Sequence, residues 1–147
     1  MKKILYLHGL ESKQGGKKVD FLASEGAVFA PQVDYKRDDF QNWITNIVET
    51  FKPDLVIGSS MGGHAALLLG NHFNIPVVAF NPAIHHRSFD PNFSKLSIED
   101  PNIGFTPVIV LGMEDDVINP LITKEILDDA FIDCVIEEVE GMGHRIP

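Results

Sequence analysis

Short apolar runs recur along this chain at residues 4–7, 27–30, 55–57, 77–80, 108–111 and 135–139, and stretches of helical character lie between most of them. Each run has the length of a strand, and each is rich in Val, Ile, Leu or Phe. No other feature constrains the fold as strongly. Strands alternating with helices build βαβ units, and these close into a mostly parallel sheet with helices on both faces. The expected architecture is therefore α/β, with about six strands. A chain of 147 residues suits one domain spanning residues 1–147.

The helical stretches differ in kind. Over residues 38–51, Phe40, Trp43, Ile44, Ile47, Val48 and Phe51 follow the spacing of an apolar stripe lying on a core. Asp38 and Asp39 are expected to cap this helix, and Pro53 to end it. A short helix is expected over residues 16–24, stopped by Gly26. Residues 65–69 are apolar nearly all round, which predicts a central, buried helix. Over residues 120–131, Pro120 takes the first helical position behind Asn119. Its expected stripe is Ile122, Ile126, Leu127, Ala130 and Phe131.

A formal net charge of −9 argues against nucleic acid or an anionic membrane as the main partner. The one cysteine, Cys134, lies in an apolar run and reads as a buried strand residue. It can form no intrachain disulfide, so no oxidising compartment is implied. The run at residues 4–7 is interrupted by His8 and Gly9, too short for a secretory h-region. No stretch has the length of a membrane span. The expected location is cytoplasmic.

Ligands of parallel sheets sit at the carboxyl ends of the strands, so chemistry is sought just after each apolar run. After the third comes Gly58-Ser59-Ser60-Met61-Gly62, which fits G-x-S-x-G between a strand and a helix. A sharp strand-to-helix turn lifts the Ser60 hydroxyl off the sheet. Side chains at Gly58 or Gly62 would collide with neighbouring backbone. The helix aims its first N–H groups at negative charge near Ser60. Neither G-x-G-x-x-G nor the P-loop pattern is present, so a phosphate loop ranks well below. Ser59 is adjacent but not centred between the glycines.

Serine needs a base. In strand-to-helix elbows of this kind the partners follow in the order Ser, acid, His. After the fifth run comes Gly112-Met113-Glu114-Asp115-Asp116, and after the last comes Gly141-Met142-Gly143-His144. His144 can take the Ser60 proton, and one carboxylate of the acidic run can orient its ring. The backbone N–H groups of Leu10 and Met61 are the expected oxyanion donors, with Gly9 permitting the turn after the first strand. His8 reads as a structural hydrogen-bonding residue, and His64 as supporting or exposed. His85 and His86 with Asp115 or Asp116 make a poor metal set, because adjacent histidines rarely converge on one ion.

These pieces together resemble the α/β-hydrolase superfamily, and within it the small bacterial YqiA-like esterases. The matching stretches are YLHGLESK, GSSMGGHAA, VVAFNPAIH, GMEDD and the terminal GMGH, spread over nearly the whole length. The resemblance implies a minimal α/β-hydrolase fold without a full cap domain, with Ser60 as nucleophile, Asp115 as acid and His144 as base. It also implies oxyanion donation from Leu10 and Met61. The first two strands of larger hydrolases have no counterpart, nor does the helix that follows their histidine. Residues 84–106 follow the fourth strand, where hydrolases of this fold carry a cap. They are expected to form a partial flap, with Phe89, Phe93 and Phe105 as apolar wall. The function implied is a serine esterase cleaving a small carboxylic ester or thioester through an acyl-serine intermediate. Residues 84–106 are rich in polar and turn-forming residues, which leaves added methylenes in water, so short acyl groups are expected to be favoured. No cofactor and no metal are implied. The alternatives are an amidase or peptidase with the same triad, or a non-catalytic binding module on the same fold.

Overall fold

The computed structural model describes residues 2–9, 17–85, 105–129 and 133–144. Leu10, His86, Phe89, Phe93, Ala130, Phe131 and most of the expected flap lie outside the described residues.

The elements run β1 (Lys3–Leu7), α1 (Lys17–Glu25), β2 (Ala27–Phe29), α2 (Phe40–Phe51), β3 (Leu55–Ser59), α3 (Met61–Phe73), β4 (Val77–Phe80), β5 (Val108–Gly112), α4 (Pro120–Asp129) and β6 (Val135–Val139). The six strands form one sheet in the order β2-β1-β3-β4-β5-β6, and every neighbouring pair is parallel. From β1 the chain steps outward to β2, then returns to place β3 on the other flank of β1. The strand order thus reverses between β1 and β3, which is where open parallel sheets leave a crevice at their carboxyl ends.

Strand side chains alternate between the two faces. On one face Leu5, Leu7, Val56, Val77, Ala79, Ile109 and Leu111 pack with Phe40, Ile44 and Val48 of α2, Met61, Ala65 and Leu69 of α3, and Leu127 of α4. On the other, Ile4, Tyr6 and Ile57 pack with Val19 and Leu22 of α1. Residues 4–7 of β1 are buried on both faces, which is why the run reads as continuous rather than alternating apolar. β6 is an edge strand paired only to β5, and Ile136 is its least exposed side.

The α2 stripe holds as expected: Phe40, Ile44 and Val48 are its buried residues, each such side chain contributing about 1.5–3 kcal/mol. Its cap differs. Asp39 stands at the N-cap without a side-chain cap bond. Its carboxylate instead accepts two bonds from the Arg37 guanidinium, at 2.6 and 3.1 Å. That bond holds the Asp39 carboxyl below its usual range. Lys52, left-handed at φ 54° and ψ 62°, closes the helix with its N–H on the Val48 carbonyl, and Pro53 follows. The α4 stripe holds at Leu127, which is buried, and at half-buried Ile126, but not at Ile122. Its buried residues are Pro120, Thr123 and Leu127, whereas Ile122 is 43% exposed. Asn119 precedes the helix; its side-chain oxygen caps the Leu121 N–H at 2.9 Å and its carbonyl accepts from the Thr123 hydroxyl at 3.3 Å, which satisfies the buried Thr123. Cys134 stands one residue before β6 and is half-buried. Among the described residues no helix is long and apolar enough to cross a membrane.

Candidate active site

All five strand ends from β1 and β3 to β6 deliver a polar or strained residue to the same edge of the sheet. The β3 end is the most constrained. Ser60 has φ 57° and ψ −116°, a left-handed φ with a ψ far from the left-handed helical basin. Its backbone is tied on both sides. The Ser60 N–H donates to the Phe80 carbonyl at 2.9 Å, while its carbonyl accepts from His64 at 3.1 Å and Ala83 at 2.9 Å. A serine at a helix N-cap ordinarily spends its hydroxyl on the first-turn N–H groups. Here it makes no cap bond, so the hydroxyl is not committed to the helix.

The expected collisions at the elbow glycines are present. A Cβ on Gly58 would lie 2.0 Å from the Gly62 carbonyl oxygen, and one on Gly62 would lie 2.0 Å from the Leu7 oxygen and 2.6 Å from that of His8. Neither glycine has a positive φ; both are there for space. Gly62 thereby lets α3 start directly against the end of β1. Met61 is the first residue of α3, so its N–H belongs to the first turn, which lacks intrahelical acceptors. Ser59 ends β3, paired with Phe80 and buried.

At the β1 end, His8 is locked. Its Nδ1 donates to the Gly9 carbonyl at 2.7 Å, and its Nε2 accepts the Val33 N–H at 2.9 Å. These partners fix the tautomer with the proton on Nδ1 and occupy both ring nitrogens, so His8 is structural, as expected. Tyr35, 1% exposed, donates its hydroxyl to the His8 carbonyl at 2.6 Å. Burial, reinforced by nearby Tyr6, pushes the Tyr35 phenol far above its usual range. It stays a neutral donor.

At the β5 and β6 ends, Asp115 and His144 meet. His144 Nδ1 lies 2.9 Å from Asp115 Oδ2. The Asp115 side chain is 0% exposed and that of His144 22%. The other carboxylate oxygen, Oδ1, accepts the N–H groups of Val117 and Ile118, each at 2.8 Å. Glu114 and Asp116, its neighbours in the acidic run, both face solvent. The two loops are stitched together by backbone bonds from Met113 to Val139 and from Glu114 to Met142, both at 3.0 Å. Gly112 makes this approach possible, since a Cβ there would sit 2.5 Å from the Met142 oxygen. Of the site expected from sequence, the structure thus joins Asp115 with His144 and sets Ser60, Met61, Gly58 and Gly62 on the same edge. Leu10 lies outside the described residues, directly after Gly9.

Asn81 escaped sequence reasoning as a functional residue, although its motif was noticed. It follows β4 directly, takes φ 43° and is 1% exposed. A polar residue interrupting the run Ala79-Phe80-Asn81-Pro82-Ala83 was the available signal, because a buried amide must find partners. His64 is half-buried in the first turn of α3, and His85 is half-buried after β4. Among the described residues no three His, Cys, Asp or Glu side chains group as metal ligands.

The fold is similar to those of several solved structures. A monoacylglycerol lipase from Paleococcus ferrophilus matches with a TM-score of 0.73 at 18% identity, over 98% of this chain and 86% of that one. An alpha-beta serine hydrolase homologue from Coxiella burnetii matches at 0.70 and 14%, over 97% of this chain and 76% of that one. FphF, a fluorophosphonate-binding serine hydrolase from Staphylococcus aureus, matches at 0.67 and 16%, over 99% of this chain and 77% of that one. The fold is that of the α/β-hydrolases. No curated protein matches the chain. The model of an uncharacterised protein family, UPF0227, matches residues 3–96, and the chain belongs to that family.

Proposed function

We propose that this protein is a serine hydrolase that cleaves a small carboxylic ester or thioester through an acyl-serine intermediate. One observation carries the proposal: a fully buried Asp115 carboxylate bonded to His144 Nδ1 at 2.9 Å, on the sheet edge where Ser60 forms a strained strand-to-helix turn. With Nδ1–H held by Asp115, the lone pair of His144 lies on Nε2, the nitrogen that can act as base. Ser60 Oγ attacks the substrate carbonyl carbon while its proton passes to Nε2. The carbonyl oxygen becomes an oxyanion, received by the Met61 N–H and by that of Leu10. A single donor of this kind is worth roughly 10²–10³ in rate. Collapse of the adduct breaks the ester bond, and the leaving alcohol or thiol takes the proton from His144. Water then enters, gives its proton to His144, and releases the acid by the same steps in reverse order. Nothing in this chemistry calls for a metal or organic cofactor, and the partner is the small-molecule substrate.

The test is labelling with a fluorophosphonate, which phosphonylates an activated serine. The adduct is expected on Ser60 by mass spectrometry, and Ser60→Ala should abolish both label and turnover of p-nitrophenyl acetate. An adduct on Ser59, or turnover that survives Ser60→Ala, refutes the assignment. A wild-type protein that takes no label argues for a non-catalytic binding module, and label with amide but no ester turnover argues for an amidase.

A further inference from the structure

Among the described residues, the backbone bonds between the β5 and β6 loops stop at Met142, two residues short of the histidine. Glu114 donates to the Met142 carbonyl at 3.0 Å, but the next two carbonyls, of Gly143 and His144, are taken by one side chain. Asn81 Nδ2 donates to the His144 oxygen at 2.9 Å and to the Gly143 oxygen at 3.2 Å. On its other side, Asn81 Oδ1 accepts the Gly112 N–H at 2.7 Å. Gly112 in turn opens the acid turn, its carbonyl accepting from the Asp115 N–H at 3.1 Å. The carboxamide therefore spans the two loops that carry the acid and the base.

Its chemistry fits that place narrowly. An amide offers two N–H donors at one end and an acceptor at the other. The surroundings present two carbonyls at one end and one N–H at the other, so flipping the group would break all three bonds. A carboxylate of the same shape would face two carbonyl oxygens with nothing to donate. The backbone of Asn81 is held as firmly. Its N–H donates to the Val110 carbonyl at 2.8 Å, and its left-handed φ of 43° is one that Asn tolerates better than most residues. On either side of it, the Phe80 carbonyl and the Ala83 N–H bond the Ser60 backbone. Residue 81 thus stands between the serine turn and the other two loops.

We propose that Asn81 is a positioning residue: its amide fixes the end of the His144 loop against the acid turn, so that the imidazole meets Asp115 in register with Ser60. The inference rests on the hydrolase reading for its catalytic consequence, but the geometric part concerns the Asp115–His144 bond alone. Misplacing a reacting group by about 1 Å can cost on the order of 10²-fold.

The experiment compares Asn81→Gly with wild type. Glycine keeps the positive φ and deletes the amide. The expected result is a fall in kcat of roughly 10–100-fold per fluorophosphonate-reactive site, with KM changed little. The downfield proton NMR signal of the His144 Nδ1–H, assigned by its loss in Asp115→Ala, is expected to broaden or vanish. Asn74→Gly, the same substitution at a left-handed residue beyond the far end of α3, should change neither. If Asn81→Gly does not fold, Asn81→Asp is measured instead, with the same expectation. A variant that melts earlier and labels in fewer molecules, yet keeps wild-type kcat per labelled site and an unchanged signal, would show a purely structural role and overturn the proposal. A wild type that takes no label on Ser60 would defeat the hydrolase reading instead. The NMR signal would then still decide whether Asn81 holds the pair.

Discussion

Ser60→Gly should make this protein more stable while destroying its proposed activity. Lys52, Asn74 and Ser60 share nearly the same φ, at 54°, 58° and 57°, but their ψ values are 62°, 55° and −116°. The first two sit in the left-handed helical basin that non-glycine residues visit at modest cost. Ser60 does not, and holding a non-glycine residue in such a sparsely populated region costs about 1–3 kcal/mol. Glycine relieves that strain. It also gives the unfolded chain more freedom, a loss of about 0.4–1 kcal/mol. The net gain should be about 0.5–2 kcal/mol, or roughly 2–6 °C in melting temperature for a domain of this size. Ser60→Ala is the necessary control, because it removes the hydroxyl and keeps the Cβ. Its stability should stay near that of wild type, so the glycine-minus-alanine difference isolates backbone strain. Thermal and urea melts of the three proteins make the measurement. If Ser60→Gly is no more stable than Ser60→Ala, the elbow is not strained in the sense argued here. The uncommitted hydroxyl would then need another explanation.

Asp115→Asn should lower ester turnover by roughly 10⁴-fold, the scale seen when a buried triad acid becomes an amide, whereas Asp116→Asn and Glu114→Gln, both solvent-facing, should stay within a few-fold; a crippled Asp116→Asn would refute the role assigned to Asp115. Burial, and secondarily the Asp133 charge, push the Cys134 thiol up, so less thiolate is present at neutral pH and alkylation by iodoacetamide should be slower than that of free glutathione. A Cys134 that reacts as fast as glutathione would contradict that environment.

How much of this was legible in the sequence depended on how local the cause is. The elbow was legible because its glycines answer to contacts made within a few residues or across one strand pair: Gly58 against Gly62, Gly62 against Leu7. The α2 stripe was legible because Phe40, Ile44 and Val48 are apolar at helical spacing, which puts them on one face. The α4 stripe was legible at Leu127 and wrong at Ile122, because apolarity was counted and hydrogen bonding was not. Thr123 is fully buried, its hydroxyl satisfied by the Asn119 carbonyl, while Leu121 and Ile122 are left outside. The Asp39 cap failed for a similar reason, since Arg37 offered a two-pronged partner two residues away. Choosing Asp115 among three acids on the residues alone was not possible. What separates them is burial and the two N–H groups on Oδ1, and both depend on how the turn folds.

Asn81 marks the far end of that scale. Its side chain bonds groups 31, 62 and 63 residues away, so no window of sequence contains its partners. The same property explains why one residue can matter to a site built from five strand ends. A parallel sheet fixes the directions of its strands through the ladder, but the ladder stops where the loops begin, and each loop then has its own freedom. Among the described residues, backbone bonds carry the β5–β6 pairing only as far as Met142, and the Ser60 turn is tied to the end of β4. Mutual placement of Asp115, His144 and Ser60 therefore requires something that reaches across loops at the edge itself. β4 lies between β3 and β5 in the sheet, so the residue that follows it is the one best placed to touch both sides. An amide there, with a donor end and an acceptor end, can fasten the His144 loop and the acid turn at once while its backbone borders the Ser60 turn.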